Sequence, residues 1–328
     1  MSVVRKSIGF IVDDVSSLNA SIDSSLYLAE QALYQYDVYL IEAHQISCVS
    51  GDRQDATLSS SAFKIESFKQ SCSFVIEHDV GVDDVLSMAK IDKMDLSSLD
   101  IIMMRKDPPV DQLYIGLTYM LDILEDSGVK VINSPKALRD INEKHVILNF
   151  PNLITATCVT SCVDSVTEFL IEHRRIVLKP MNEMGGHGIC LLDIAVDDMD
   201  DCLAVILSML QKYSMIMAQK CLDVDREGDK RIILINGEPV PYALARFPSS
   251  GKFIANLCAG GSGSVVPLTA RDYEICGDLK PFVNSHNLSL VGIDVIDGFL
   301  TEINITSPTC LRHINSSHLI PVNSLFDC

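Results

Sequence analysis

The stretch GDKRIILINGEPVPYALARFP (Gly228–Pro248) holds two apolar, β-rich runs on either side of Asn236-Gly237. Asn-Gly between two such runs is the strongest short hairpin signal, because both residues tolerate the positive φ of a tight turn. A second hairpin is predicted downstream, where LVGIDVID (Leu290–Asp297) meets TEIN (Thr301–Asn304) through Gly298. Upstream, RIVLKP (Arg175–Pro180), GICLLD (Gly188–Asp193) and MIMAQK (Met215–Lys220) read as further strands, the first two joined by a Gly-rich turn. These are antiparallel elements, so this region is α+β.

Toward the N-terminus the pattern changes. SIGFIV (Ser7–Val12), DVYLIE (Asp37–Glu42), DIIMMR (Asp100–Arg105) and VKVINS (Val129–Ser134) are continuous apolar runs, as expected of strands covered on both faces. Amphipathic helices are predicted over 24–35 and 111–126, giving an open α/β layer with right-handed crossovers. KALRDINEKHVILNF (Lys136–Phe150) reads as a helix entered through Ser134-Pro135, an N-cap followed by Pro at the first helical position. The predicted organisation is an N-terminal open α/β domain at 1–134 and an α+β domain at 135–328.

Composition narrows the function. The chain has 328 residues, 48% hydrophobic and 21% charged, enough apolar surface for two or three cores. Its net charge of −18 repels phosphate backbones, which argues against nucleic acid, although a local Lys/Arg cluster can still reverse the field in a cleft. The 11 cysteines are odd in number and scattered without a CxxC pair. Reduced thiols in a cytoplasmic setting are therefore expected. The run Ile8–Val12 stops at Asp13-Asp14, too short for a secretory segment. No stretch reaches the ~20 apolar residues that span a bilayer, so no membrane partner is expected.

Four constellations carry chemistry. In KPMNEMGGHG (Lys179–Gly188), a strand-terminal Lys precedes a flexible turn whose N–H groups could close over phosphates, although an ordinary hairpin turn would look similar. In TEIN, residues two apart point the same way, so Glu302 and Asn304 offer oxygen donors on one face, with Asp294 on the partner strand. Such a set suits Mg²⁺; a solvated polar edge is the alternative. Lys144, Lys179, Lys230, Arg231 and Arg246 are cations in an acidic chain, facing either anions or surface carboxylates. In NITSPTCLR (Asn304–Arg312), Ser307-Pro308 reads as a helix start whose N–H groups and the Thr309 hydroxyl could bind an anion.

In their order these segments resemble the bacterial glutathione synthetase family. The resemblance also covers MMRKDPP (Met103–Pro109), VINSPKALRDINEK (Val131–Lys144) and NLCAGG (Asn256–Gly261), and runs from about residue 7 to 312. It implies an N-terminal substrate domain followed by an ATP-grasp fold, with ATP and Mg²⁺ held between two antiparallel sheets. The implied reaction joins γ-glutamylcysteine to glycine through an acyl phosphate. By this resemblance Lys144, Lys179, Gly185, Gly186 and Asp229 serve ATP, and Gln219, Lys220, Cys221 and Leu222 line its base. Asp294, Glu302 and Asn304 would hold Mg²⁺, while Arg231 and Arg246 would be the catalytic cations. Arg105, Ser307 and Thr309 would bind substrate carboxylate. Relatives form homo-oligomers. Other readings are a different ATP-grasp carboxylate–amine ligase, or a catalytically silent ATP-binding relative.

The chain departs from the family pattern at three places. Asn182-Glu183 stands where the family has Asp-Gly, and the chain ends at Cys328 where relatives continue into another helix. Ile254-Ala255-Asn256 replaces the family's Arg-Gly-Asn within the Gly- and Ser-rich segment 248–263, the expected lid. A lid closes over a reactive intermediate to exclude water. Losing one charge-assisted contact removes on the order of 1.5–3 kcal/mol. Some phosphate release from ATP and γ-glutamylcysteine without glycine is therefore expected, and Ile254→Arg should reduce it. Full coupling in the unaltered enzyme would mean that Lys252 or another group supplies the cation.

Overall fold

The computed structural model describes residues 5–51, 54–69, 81–249, 255, 262–315 and 322–326. The proposed lid position Ile254 and Lys252 lie outside the described residues.

The N-terminal sheet contains β1 (Ser7–Val12), β2 (Asp37–Glu42), β3 (Ser47–Gly51), β4 (Gln54–Phe68), β5 (Leu86–Asp95), β6 (Ile101–Met104) and β7 (Lys130–Ile132). Its order is β3-β4-β2-β1-β6-β7, with β5 on β4. β1 pairs in parallel with β2 and β6, and β6 with β7, as the four apolar runs predict. The intervening polar stretch, which carried no strand prediction, forms the antiparallel part. The sheet is thus mixed. Along β4 the inward positions are Leu58, Ser60 and Ala62, so two small residues hide the period-two signal.

Helices Ser24–Ala32 and Gln112–Asp126 cover this sheet, each N-capped by an aspartate: Asp23 accepts from Leu26 N at 2.8 Å and Asp111 from Tyr114 N at 2.9 Å. The helix predicted across 136–150 is shorter. It spans Pro135–Asp140, Ile141 is extended, and a 3₁₀ turn covers His145–Asn149. Asn142 explains the break, since its side-chain oxygen accepts from Lys144 N at 3.1 Å and His145 N at 3.0 Å. Such local bonds compete with helix propagation. Pro135 is at the first helical position as expected, but the Ser134 side chain makes no cap bond.

The remainder holds two antiparallel sheets. One comprises β8 (Thr157–Thr160), β9 (Arg175–Pro180), β10 (Cys190–Asp193) and β11 (Ile216–Lys220), ordered β10-β9-β11-β8. The other comprises β12 (Asp229–Ile235), β13 (Glu238–Phe247), β14 (Ser262–Pro267), β15 (Leu290–Ile296) and β16 (Phe299–Asn304), ordered β14-β13-β12-β15-β16. Both predicted hairpins form. Asn236-Gly237 has φ of 50° and 79°, and Asp297-Gly298 has 49° and 75°, the left-handed values that Asn-Gly and Asp-Gly accept. The eight described cysteines are free thiols, and no helix among the described residues is long and apolar enough to cross a membrane.

One of the five cations turns away from the others. Lys230 pairs with Asp272 at 2.7 Å, on helix Ala270–Ser285, and both side chains are buried. Asp272 also accepts from Thr269 N and Oγ1, closing a capping box. Lys230 therefore anchors a helix rather than facing a ligand. Lys230→Met should destabilise the protein by about 3–5 kcal/mol, the effect of stranding a buried charge. Urea denaturation checks this; a loss under about 1 kcal/mol would mean that the Thr269 bonds suffice.

Candidate active site

A cavity of about 560 Å³ is walled by both antiparallel sheets. Period-two alternation selects its lining. From β9 come Arg175, Val177 and Lys179, while Ile176 and Leu178 between them are buried in the sheet's own core. From β12 come Asp229 and Arg231; from β15 and β16 come Asp294, Ile296, Thr301, Glu302 and Asn304. Lys144 enters from the turn behind Asn142.

Two lysines line this space. Lys144 Nζ donates to Glu302 Oε1 at 2.8 Å and to the Glu183 carbonyl at 2.7 Å. Burial opposes its charge, but Glu302 overrides that and raises its pKa. Lys179 Nζ donates to Gln219 Oε1 at 2.6 Å, and Gln219 Nε2 to Thr157 Oγ1 at 3.1 Å. Burial holds the Lys179 pKa below the ordinary lysine value, even with Glu302 opposing, and the nearby Lys144 charge adds to the depression. An anion in the cavity would relieve both effects. Gly185, Gly186 and Gly188 have φ of 65°, 84° and 71°. A Cβ on Gly188 would lie 2.5 Å from Tyr213 Oη and 2.8 Å from Pro180 Cγ, so this loop packs tightly.

Across the cavity is a buried charge cluster. Arg231 donates to Asp294 through Nε at 2.6 Å and Nη2 at 3.0 Å. Arg246 Nη2 lies 2.9 Å from Asp294 Oδ1 and 2.8 Å from Asp229 Oδ2. Burial alone would raise the Asp294 pKa; the two guanidinium groups reverse this and hold it well below the usual carboxylate range. Asp229 Oδ1 is buried with no hydrogen-bond partner among the described residues. Asn304 Nδ2 is 3.4 Å from Asp294 Oδ2, and Asp294 is the register partner of Glu302.

The expected base-binding strand end, Gln219, Lys220, Cys221 and Leu222, also lines the cavity. Four predicted site residues, the catalytic cation Arg246 and the substrate residues Arg105, Ser307 and Thr309, are not in its wall. Arg105 is buried, donating to Ser25 Oγ at 3.0 Å and the Pro308 carbonyl at 3.1 Å. Ser307 Oγ donates to the Arg105 carbonyl at 3.4 Å, and exposed Thr309 reaches Arg231 Nη1 at 3.5 Å. The helix start predicted at Ser307 does not form. The N–H groups of Ile305 and Thr306 go to Glu143 instead, and the helix spans only Leu311–Asn315. Sequence reasoning also missed Val177, Ile189 and Ile296, which make the apolar walls. Val177 was accessible, being two residues before Lys179.

Known proteins resemble this chain over nearly its whole length. The N-terminal domain of prokaryotic glutathione synthetase matches residues 7–139, and the ATP-grasp domain of that family matches residues 143–318. Glutathione synthetase of Nitrosomonas europaea is 39% identical over 315 residues, covering 94% of this chain and 92% of that protein. The Escherichia coli K12 protein of the same name is 34% identical over 321 residues, covering 97% and 95%. The chain belongs to the prokaryotic glutathione synthetase family. Among solved structures, a D-cycloserine synthetase superposes with a TM-score of 0.61 at 12% identity, covering 97% of this chain and 100% of that one. D-alanyl-alanine synthetase A of Vibrio cholerae gives 0.58 at 13%, covering 99% and 97%. These likenesses are of fold alone; the ATP-grasp fold is given by the family match over residues 143–318.

The donor set fits a hard cation. Glu302 and Asn304 line the cavity and each can offer an oxygen ligand, and Asp294 stands beside them on the neighbouring strand. Among the described residues no three His, Cys, Asp or Glu side chains cluster as metal ligands, so the set would consist of two carboxylates and the Asn304 amide oxygen. Asp294 is at the same time the anion that neutralises two arginines. Asp294→Asn should therefore destabilise the protein by about 3–5 kcal/mol. Because the wild-type Asp294 pKa is depressed, its contribution is complete above ~3.9 and is lost only as pH falls toward the lower folded value. The variant's deficit should accordingly stay constant from about pH 5 to 8 and shrink when sulfate replaces the missing anion. Denaturation midpoints across that range test both statements; a deficit that varies with pH above 5 would contradict the assignment.

Proposed function

We propose that the protein ligates γ-glutamylcysteine to glycine at the cost of ATP, producing glutathione, ADP and phosphate. The single observation that carries this reading is one cavity lined by Lys144, Lys179, Arg231, Glu302 and Asn304, with Arg246 behind its wall on Asp229 and Asp294. In this reading residues 1–134 form the substrate-binding unit and residues 135–328 the ATP-grasp unit. The cytoplasm is the assigned location, and the working form is a homo-oligomer.

Lys144 and Lys179, with the N–H groups of Gly185 and Gly186, neutralise the phosphates. Gln219 to Leu222 hold the base, and Asp229 faces the nucleotide. Glu302, Asn304 and Asp294 would hold Mg²⁺, which would draw charge from the phosphate oxygens. A cysteinyl carboxylate oxygen attacks the γ-phosphorus, the bond to the β-phosphate oxygen breaks, and ADP leaves. Glycine, having lost its ammonium proton to solvent, attacks the acyl carbon with its amine. The carbon–oxygen bond to phosphate then breaks and the amine's second proton is released. Arg231 and Arg246 stabilise the charge on the phosphoryl and acyl oxygens in both steps. Arg105, Ser307 and Thr309 orient the dipeptide from the N-terminal side.

A phosphate-release assay that omits ATP, Mg²⁺, γ-glutamylcysteine and glycine in turn tests the reaction. Sustained turnover and glutathione formation should need all four. Glu302→Gln should raise the Mg²⁺ requirement roughly tenfold and lower kcat, because a neutral amide is a weaker ligand for a hard cation. Turnover with two D-alanines in place of the two substrates, or an unchanged Mg²⁺ titration in the folded variant, would count against the assignments.

A further inference from the structure

Glu143 lies beside Lys144 and has no role in the chemistry above. Its Oε1 accepts from Ile305 N at 2.7 Å, Thr306 N at 2.9 Å and Thr306 Oγ1 at 2.9 Å. Its backbone carbonyl accepts from Ile303 N at 3.0 Å. One residue thus grips the chain on both sides of Asn304. The next residue, Lys144, bonds to Glu302 Oε1. Glu302, Ile303, Ile305 and Thr306 are therefore all tied to the Glu143-Lys144 dipeptide.

The far side of this segment is held from the N-terminal sheet. Asn133 Nδ2 donates to the Ile305 carbonyl at 2.8 Å, and Arg105 Nη2 donates to the Pro308 carbonyl. Segment 305–308 has no helix or sheet ladder of its own, so side chains must satisfy its backbone groups. Glu143 supplies the acceptor for two of its N–H groups. The same bonds keep Ser307 and Thr309 from winding into a helix.

We infer that Glu143 is a positioning residue, fixing the segment Glu302–Thr309 so that its cation donors and its dipeptide-binding groups face one reacting centre. The inference rests on the ligase reading. Glu143 acts as an acceptor of fixed length, not through its charge on substrate. The base-binding strand end Gln219–Leu222 belongs to the other sheet and should not depend on it.

The test compares Glu143→Ala and Glu143→Gln with wild type, varying each substrate and measuring ADP binding by calorimetry with and without Mg²⁺. In Glu143→Ala, KM for γ-glutamylcysteine should rise roughly tenfold or more, the scale of a small misplacement in an active site. The Mg²⁺-dependent gain in ADP affinity should fall, while metal-free ADP affinity stays within about twofold, as for a substitution that does not reach that site. Glu143→Gln keeps a carbonyl oxygen at the same reach and should restore both the dipeptide KM and the Mg²⁺-dependent gain toward wild-type values. If Glu143→Gln is as impaired as Glu143→Ala, charge and not position is the function, and the inference is wrong. It is equally wrong if metal-free ADP binding weakens as much as the dipeptide KM. Should Glu143→Ala not fold, Thr306→Val removes one of the three bonds, and an unchanged dipeptide KM in that variant overturns the proposal. Failure of the ligase reading would appear differently, as wild-type protein without turnover, and the ADP–Mg²⁺ binding arm still reports on positioning.

Discussion

Asp294 is shared by two buried arginines, and the catalytic half of the molecule is arranged around that constraint. Arg231 and Arg246 are on adjacent strands, and Asp294 is the register partner of Arg231 on the next strand over. Two guanidinium groups this close repel each other and have each lost their water. They persist because a carboxylate meets both at hydrogen-bonding distance and Asp229 meets Arg246 from the other side. Charge within the cluster is balanced, two arginines against two aspartates, and it borders a cavity that also holds two lysines. A site built this way is prepared for a multiply charged anion before one arrives, which is where electrostatic preorganisation derives its effect.

The two sheets contribute different halves of the chemistry because strand alternation presents every second side chain to the space between them. β9 gives Val177 and Lys179, an apolar wall and a cation; β16 gives Glu302 and Asn304, a carboxylate and an amide. The residues between them, Leu178 and Ile303, are fully buried and lock each strand to its core. Position in the cavity and stability of the sheet are thus set by the same two-residue period. The turn at Asn142 ties these halves together: its side chain reaches the Met181 carbonyl, and the two residues after it reach β16 and the segment that follows it.

Much of this was legible in the sequence because it is local. Asn236-Gly237 and Asp297-Gly298 specify hairpins by turn chemistry alone, and continuous apolar runs marked the parallel strands. The cavity residues Lys144, Lys179, Glu302, Asn304 and Arg231 follow from strand ends, spacing and resemblance. What escaped was non-local. Lys230 looks like Arg231 in the sequence, and only the packing of helix Ala270–Ser285 shows that it faces Asp272. Ser307-Pro308 carries a sound helix-start signal that is overridden by a glutamate more than 160 residues earlier. The Ser-rich strand β4 buries Ser60 and Ala62, which hydropathy does not distinguish from a loop.

In the proposed reaction ATP activates the cysteinyl carboxylate itself. Oxygen tracing tests it most directly. γ-Glutamylcysteine labelled with ¹⁸O in its cysteinyl carboxylate is turned over with ATP, Mg²⁺ and glycine, and the released phosphate is examined by mass. Attack of that carboxylate on the γ-phosphorus transfers one labelled oxygen to each phosphate formed. Phosphate carrying no label while glutathione accumulates would mean that the peptide bond forms by another route, and that the cations gathered around Asp294 serve a different reaction.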